Sequence, residues 1–183
     1  MSTVNSPIVF SHNDLQGGNI LCRQLTEKEE RNGRSSTDDS HCEGRLTVID
    51  FEFCSYNFRA YDIANHLCEW VYDYGLEESP YYTLKRDKFP SKAQQIDFLR
   101  AYVETYFENN TDVPSSLKRG SLTLDQQLEV VMKEVNAFQM VPHLLWGLWS
   151  IKNSIGSKIL FAYWVCILRM IFPLSSSFVK FYT

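Results

Sequence analysis

The chain has 183 residues, 44% of them hydrophobic and 22% charged, which suits one globular domain with a sizeable core and excludes a disordered chain. A net charge of −4 argues against a nucleic-acid binder, because phosphate contacts need a concentrated excess of Lys and Arg; a small-molecule or protein partner is expected. Cys22, Cys42, Cys54, Cys68 and Cys166 form no CxxC pair, so neither a zinc site nor a disulfide framework is signalled, and a reduced, cytoplasmic setting fits best.

Met1 to Pro7 is short and polar and lacks the basic-then-apolar pattern of a secretory signal. Ile8-Val9-Phe10 is a β-prone run leading into Ser11-His12-Asn13-Asp14, and Asn19-Ile20-Leu21-Cys22 follows a Gly17-Gly18 turn. The pattern predicts strand, loop, strand. From Gln24 to about Arg45 the composition turns polar and charged, as in a flexible surface connection. Leu46-Thr47-Val48-Ile49 supplies a further β run that ends on Asp50. The two strands around the connection make a hairpin-like pair, with Asp14 and Asp50 each at a strand end, where a rigid scaffold positions functional side chains.

Everything beyond Asp50 is read as helical. Ile63, Leu67, Trp70 and Val71 fall at helical spacing, as do Ile96, Leu99, Val103 and Tyr106 after the capping box Ser91-Lys92-Ala93-Gln94. Leu124, Leu128, Val131, Val135 and Phe138 form a third stripe, opened by the box Thr123-Leu124-Asp125-Gln126. Pro142 is expected to end or kink that helix, with another beginning over His143 to Ile155. Ile159 to Leu174 is the most apolar stretch, but Arg169 and Pro173 interrupt it short of the ~20 apolar residues that span a bilayer. A buried tail is expected there, with no stable membrane span.

His12-Asn13-Asp14-Leu15-Gln16-Gly17-Gly18-Asn19 has the H-x-D-x-x-x-x-N spacing of a kinase catalytic loop. An Asp at this interval can accept the proton of an attacking hydroxyl, and the Asn oxygen can reach a magnesium ion on nucleotide phosphates. Taken alone, Asn13 and Asp14 equally fit a polar turn that caps its own backbone. Val48-Ile49-Asp50-Phe51-Glu52 adds an Asp directly after an apolar strand, in the order catalytic loop then metal-binding Asp. Phosphoryl transfer needs such a ligand, since a metal must neutralise the β- and γ-phosphates.

His12 to Leu21, together with Ile49-Asp50-Phe51-Glu52 and Ser55 to His66, resembles the two signature blocks of the choline/ethanolamine kinase family, and the likeness runs from about Ile8 to Tyr163. It implies an α+β, mainly α fold: the C-terminal lobe of a protein-kinase-like fold, with a small β-hairpin and a helical subdomain over residues 1–163. It implies ATP and Mg2+ as cofactors, Asp14 as catalytic base, and Asn19 and Asp50 as metal ligands. Gly17 stands where the family carries an acidic residue, a change expected to affect loop order more than chemistry.

Choline has a quaternary ammonium with no N–H to donate, so its site is expected to use aromatic faces and nearby carboxylates. By the resemblance, Gln16, Glu52, Glu69, Tyr72, Tyr74, Trp146 and Trp149 would bind substrate, and Cys68 to Tyr74 and Leu145 to Ser150 resemble the segments of choline rather than ethanolamine enzymes. Trp146 and Trp149, at i and i+3, also fit one buried helix face. The resemblance implies an N-terminal nucleotide-covering lobe that is not expected before Ile8, so the 183 residues alone are expected to be inactive. Residues 164–183 are read as an atypical apolar tail, and an aromatic pocket residue of the family's closing helix finds no counterpart there. The reading is thus phosphorylation of choline, possibly also of ethanolamine, in phospholipid headgroup synthesis. Its rivals are an ethanolamine-preferring kinase and a non-catalytic fragment pairing with full-length subunits, since family members are commonly dimeric.

Overall fold

Extended, apolar Ile8–Ser11 forms β1, which pairs antiparallel with β4, Ser55–Phe58, in the register Ile8↔Phe58 to Ser11↔Ser55. Phe10 and Tyr56 face each other across this pair with ring centroids 5.9 Å apart, edge to face, the kind of cross-strand contact that holds a short ladder. Between them in sequence, β2 (Ile20–Gln24) pairs antiparallel with β3 (Gly44–Val48), from Ile20↔Val48 to Gln24↔Gly44. The expected hairpin-like pair is present. The computed structural model describes residues 4–24, 44–109 and 122–156; the interior of the polar connection and the apolar tail lie outside them.

Among the described residues four α-helices follow: α1 (Arg59–Glu69), α2 (Lys92–Asn109), α3 (Leu124–Phe138) and α4 (Met140–Ser154). The Ser91/Gln94 box is made, with the Ser91 N–H donating to Gln94 Oε1 at 2.9 Å and the Gln94 N–H to Ser91 Oγ at 3.4 Å. The Thr123/Gln126 box is reciprocal as well. The three stripes meet in one core: Ile63, Ala64 and Leu67 from α1, Leu99 and Val103 from α2, and Leu128, Val131 and Val135 from α3. Each such large aliphatic side chain contributes roughly 1.5–3 kcal/mol by leaving water. The β1/β4 pair leads straight into α1, so the core carries the loop after β1 on its flank.

The structure corrects four expectations. The region after Asp50 contains strands: β4, and the small pair β5 (Tyr72–Asp73) and β6 (Thr83–Leu84). β4 is the four residues Ser-Tyr-Asn-Phe, too short and polar for a period-2 signal, and its strand form comes from pairing with β1. The helix break precedes Pro142, at Gln139, so Pro142 sits in the first turn of α4, where its missing N–H has no intrahelical partner to lose. Gln24, Gly44 and Arg45, placed at the edges of the connection, belong to strands. Finally, Cys22 is disulfide-bonded, whereas Cys54 and Cys68 are free thiols. No helix among the described residues is long and apolar enough to cross a membrane.

Candidate active site

The loop after β1 is held by its polar side chains. Asn13 has φ 65°, a left-handed conformation that Asn tolerates better than most side chains. Its amide nitrogen donates to the Phe53 carbonyl and to Ser55 Oγ, both at 2.9 Å, and its oxygen accepts from Asn57 Nδ2 at 2.8 Å. Asp62, in the first turn of α1, accepts the N–H groups of His12 and Asn13 on its two oxygens, at 3.0 and 2.7 Å. One turn further along α1, Asn65 Nδ2 donates to the Asn13 carbonyl at 3.3 Å, and His66 Nδ1 donates to the Leu15 carbonyl at 2.8 Å. The backbone on both sides of Asp14 is thereby pinned to one helix.

Asn19, buried at the far end of the loop, donates with Nδ2 to the Asp14 carbonyl at 2.9 Å and to Asp14 Oδ2 at 3.1 Å. Its nitrogen is committed, which leaves the side-chain oxygen as the end able to meet a cation. Burial pushes the Asp14 carboxyl above its usual range and the charges of Asp50 and Glu52 push the same way, against the Asn19 hydrogen bond and His12. Asp50 is fixed to this loop by its neighbour: the Ile49 N–H donates to the Asn19 carbonyl, and His12 Nε2 donates to the Ile49 carbonyl, each at 3.0 Å. With Nε2 donating, His12 Nδ1 is the acceptor of the Asp14 N–H at 3.3 Å.

Asp50 is itself left-handed (φ 65°, ψ 67°) and makes no side-chain cap to the 3-10 turn Phe51–Phe53 that it begins. A carboxylate in a sparsely populated conformation that does not serve its own turn is a candidate for function. Among the described residues no three His, Cys, Asp or Glu side chains converge as a metal cage. The oxygen donors Asp50 and Asn19 beside Asp14 instead suit magnesium, which takes one or two carboxylates and completes its shell with water and substrate phosphates.

Next to this loop lies a cavity of about 360 Å³. Gln16, Gly17 and Gly18 form one wall, with Gln16 Oε1 accepting the Gly18 N–H at 2.8 Å; Glu69, Tyr72 and Tyr74 form another, joined by His66 and Trp70. The Tyr72 and Tyr74 rings are stacked, 17° apart in plane with centroids 6.2 Å apart, and the Tyr74 hydroxyl donates to Glu69 Oε2 at 2.8 Å. Burial raises the Glu69 carboxyl to about 7, despite the Tyr74 hydrogen bond and with a small push from Asp14. Trp146 stands behind the tyrosines, packed with Tyr72 against buried Tyr82 and edge-on to Phe53 and Trp149.

The structure therefore gathers Asp14, Asn19 and Asp50 at one end and Gln16, Glu69, Tyr72 and Tyr74 around the cavity, with Trp146 and Trp149 as backing. Glu52 stands apart from the cavity lining, exposed in the turn after Asp50 and near enough to raise the Asp14 carboxyl. Asp62, Asn65, His66 and Tyr82 were not singled out by sequence. Three of them carry a readable signal, since Asp62, Asn65 and His66 put polar groups at i, i+3 and i+4 on a helix whose Ile63, Ala64 and Leu67 are core.

The profile of the choline/ethanolamine kinase family matches residues 1–169. Mouse choline kinase alpha is 42% identical over 158 residues, covering 86% of this chain and 31% of that protein. Human choline/ethanolamine kinase is 36% identical over 167 residues, covering 89% of this chain and 36% of that protein. Among solved structures, a choline kinase from Cryptosporidium parvum aligns with a TM-score of 0.64 at 24% identity, over 95% of this chain and 38% of that one, which establishes a kinase-like fold. The chain spans between 31% and 38% of the length of these relatives. On a family match over most of its residues and relatives of this identity, the chain belongs to the choline/ethanolamine kinase family.

Proposed function

We propose that residues 1–163 are the C-terminal, catalytic-loop lobe of a kinase that transfers the γ-phosphoryl group of ATP to the hydroxyl of choline, and less readily of ethanolamine. The observation that carries this reading is the juxtaposition of the Asn19-bonded Asp14 carboxylate with a cavity that offers stacked tyrosines and a carboxylate, a donor set suited to an organic cation. Tyr72 and Tyr74, with Trp146 and Trp149 behind them, present faces to the N-methyl groups, and Glu69 supplies the opposing charge. Asp14 takes the hydroxyl proton as the oxygen attacks, its carboxylate oriented by Asn19. Asp50 and the Asn19 oxygen are the proposed holders of magnesium, which when bound neutralises phosphate charge. Titrating choline into the protein by calorimetry tests the reading: binding that is weakened by Tyr74→Ala is expected, and no binding of choline by the wild type would overturn it.

Two outcomes follow for this site. In an intact kinase that carries this lobe, Asp50→Ala is expected to raise the half-saturating magnesium concentration by at least ~10-fold, the usual range for losing one ligand-sphere partner. An unchanged magnesium titration with activity preserved would return Asp50 to a turn role. The second concerns pH. Glu69 titrates near 7, and only its ionised form attracts a cation, so choline affinity is expected to rise about ten-fold from pH 6 to pH 8 as the ionised fraction grows. The opposite sign holds for folding: a carboxyl raised by burial contributes stability below its unfolded value and loses it as pH climbs through 7. Glu69→Gln should flatten the pH dependence of binding, and a slope that survives this change would assign it to another group.

A further inference from the structure

Asn65 and His66, adjacent on α1, each join two parts of the molecule that are distant in sequence. Asn65 is fully buried; its Nδ2 donates to the Asn13 carbonyl, and its Oδ1 accepts the Trp146 indole N–H at 2.7 Å. His66 repeats the arrangement one residue on: Nδ1 donates to the Leu15 carbonyl, and Nε2 accepts the Trp70 indole N–H at 3.3 Å. The two carbonyls flank Asp14. The two indoles belong to the aromatic wall, Trp70 lining the cavity and Trp146 packed with Tyr72 against Tyr82.

Packing alone does not require this. A tryptophan can fill the space beside Tyr82 with its N–H bonded to any nearby acceptor, and the loop carbonyls could be met by water. Here both ends of two side chains are used, and each chain of bonds runs from the aromatic wall to the backbone beside the proposed base. Since a buried amide or imidazole left with one partner missing is costly, moving the wall and moving the loop are not independent events.

Resting on the reading of the cavity as a choline site, we infer that Asn65, with His66 beside it, is a positioning residue that couples occupation of the aromatic wall to the conformation of the Asp14 loop. Choline that orders Trp146 and Trp70 orders the carbonyls of Asn13 and Leu15 through them, so the base reaches its working geometry when substrate is in place. Asn65 is not among the residues lining the cavity and acts through Trp146 and Asn13.

Hydrogen exchange of the amides of residues 12–19 reads this directly in the 183-residue chain, with choline as the probe and calorimetry confirming that it is bound. At ten times its dissociation constant, choline is expected to slow exchange of the loop amides about ten-fold in the wild type, because the opened loop no longer supports the bound wall. Asn65→Leu, of similar volume and without either hydrogen bond, is expected to bind choline while losing that protection. Asn65→Ala, which removes both hydrogen bonds and leaves Trp146 in place, is expected to behave likewise; it carries the test if Asn65→Leu does not fold. In an intact kinase carrying the lobe, the same changes should lower kcat about 10- to 100-fold, as for a misplaced catalytic group, with a smaller change in KM. Protection equal to wild type in both variants, or a wild type that binds choline with no slowing of its loop, would overturn the coupling and leave the choline site standing. Failure of the wild type to bind choline at all would overturn the site reading and the coupling with it.

Discussion

Asp14→Asn is expected to cut phosphoryl transfer to choline by ~10²–10⁴ in an intact kinase carrying this lobe, the range for losing a general base. The substitution keeps volume and shape, and the bond from Asn19 Nδ2 to the Asp14 carbonyl does not depend on the side chain. A fall in rate therefore reports the lost proton acceptor and not a collapsed loop. Stability supplies an independent sign. Burial, the largest influence, holds the Asp14 carboxyl above its ordinary value, so this group contributes stability below its unfolded pKa and loses it as pH rises through its folded pKa. At pH 7 the ionised carboxylate is thus a net cost to folding, and a neutral Asn should leave the unfolding midpoint equal or higher, with any gain fading in acid. Activity down with stability level or up is the signature of a base. Retention of more than half the wild-type turnover, with choline still bound, would remove Asp14 from that role.

What sequence made legible divides along physical lines. The helical stripes were readable because burial on α1, α2 and α3 follows the 3.6-residue period: Ile63 and Leu67, Leu99 and Val103, Leu128 and Val131 meet in one core. The closeness of Asp14 and Asn19 was readable because the Gly17-Gly18 turn between them folds the loop back on itself, and the structure sets Asp14 against Asn19 at 3.1 Å. β4 was not readable, because a four-residue strand takes its form from a partner more than 40 positions away and not from its own pattern. The same limit hid the supports of the loop. Asp62 reads as an acidic residue in a first helical turn, where such residues are common for the helix dipole, and only the fold shows its two oxygens turned on the His12 and Asn13 amides. Glu52 is the reverse case: its chemistry suggested a charge for the cation, and the turn after Asp50 sets it outside the cavity lining, where it raises the Asp14 carboxyl.

Glu134→Ala is expected to destabilise the chain by ~3–5 kcal/mol, the cost of leaving one member of a buried ion pair alone, out of a total that for a domain is about 5–15 kcal/mol. Glu134 on α3 accepts Arg59 Nε at 2.9 Å and Nη2 at 2.8 Å, a two-point contact between side chains only 4% and 1% exposed. Ser6 Oγ adds a donor at 3.0 Å and in turn accepts the Ala60 N–H, so the carboxylate also ties the segment before β1 to the start of α1. The Arg59 guanidinium rests 4.9 Å from the centre of the Tyr106 ring, while its Nη1 has no hydrogen-bond partner among the described residues, so the cation has little to fall back on there once Glu134 is gone. Arg59 is the first residue of the helix whose Asp62, Asn65 and His66 grip the loop after β1, and a loosened start of α1 should therefore show as faster exchange of the loop amides before global unfolding. Replacing both partners, Arg59→Met with Glu134→Leu, should recover most of the loss, since apolar packing removes the desolvated charge together with its partner. Urea unfolding of the wild type, the single variant and the double variant measures this, and a single-variant loss below ~1 kcal/mol, the scale of an exposed pair, would show that the pair does not hold α1 to α3.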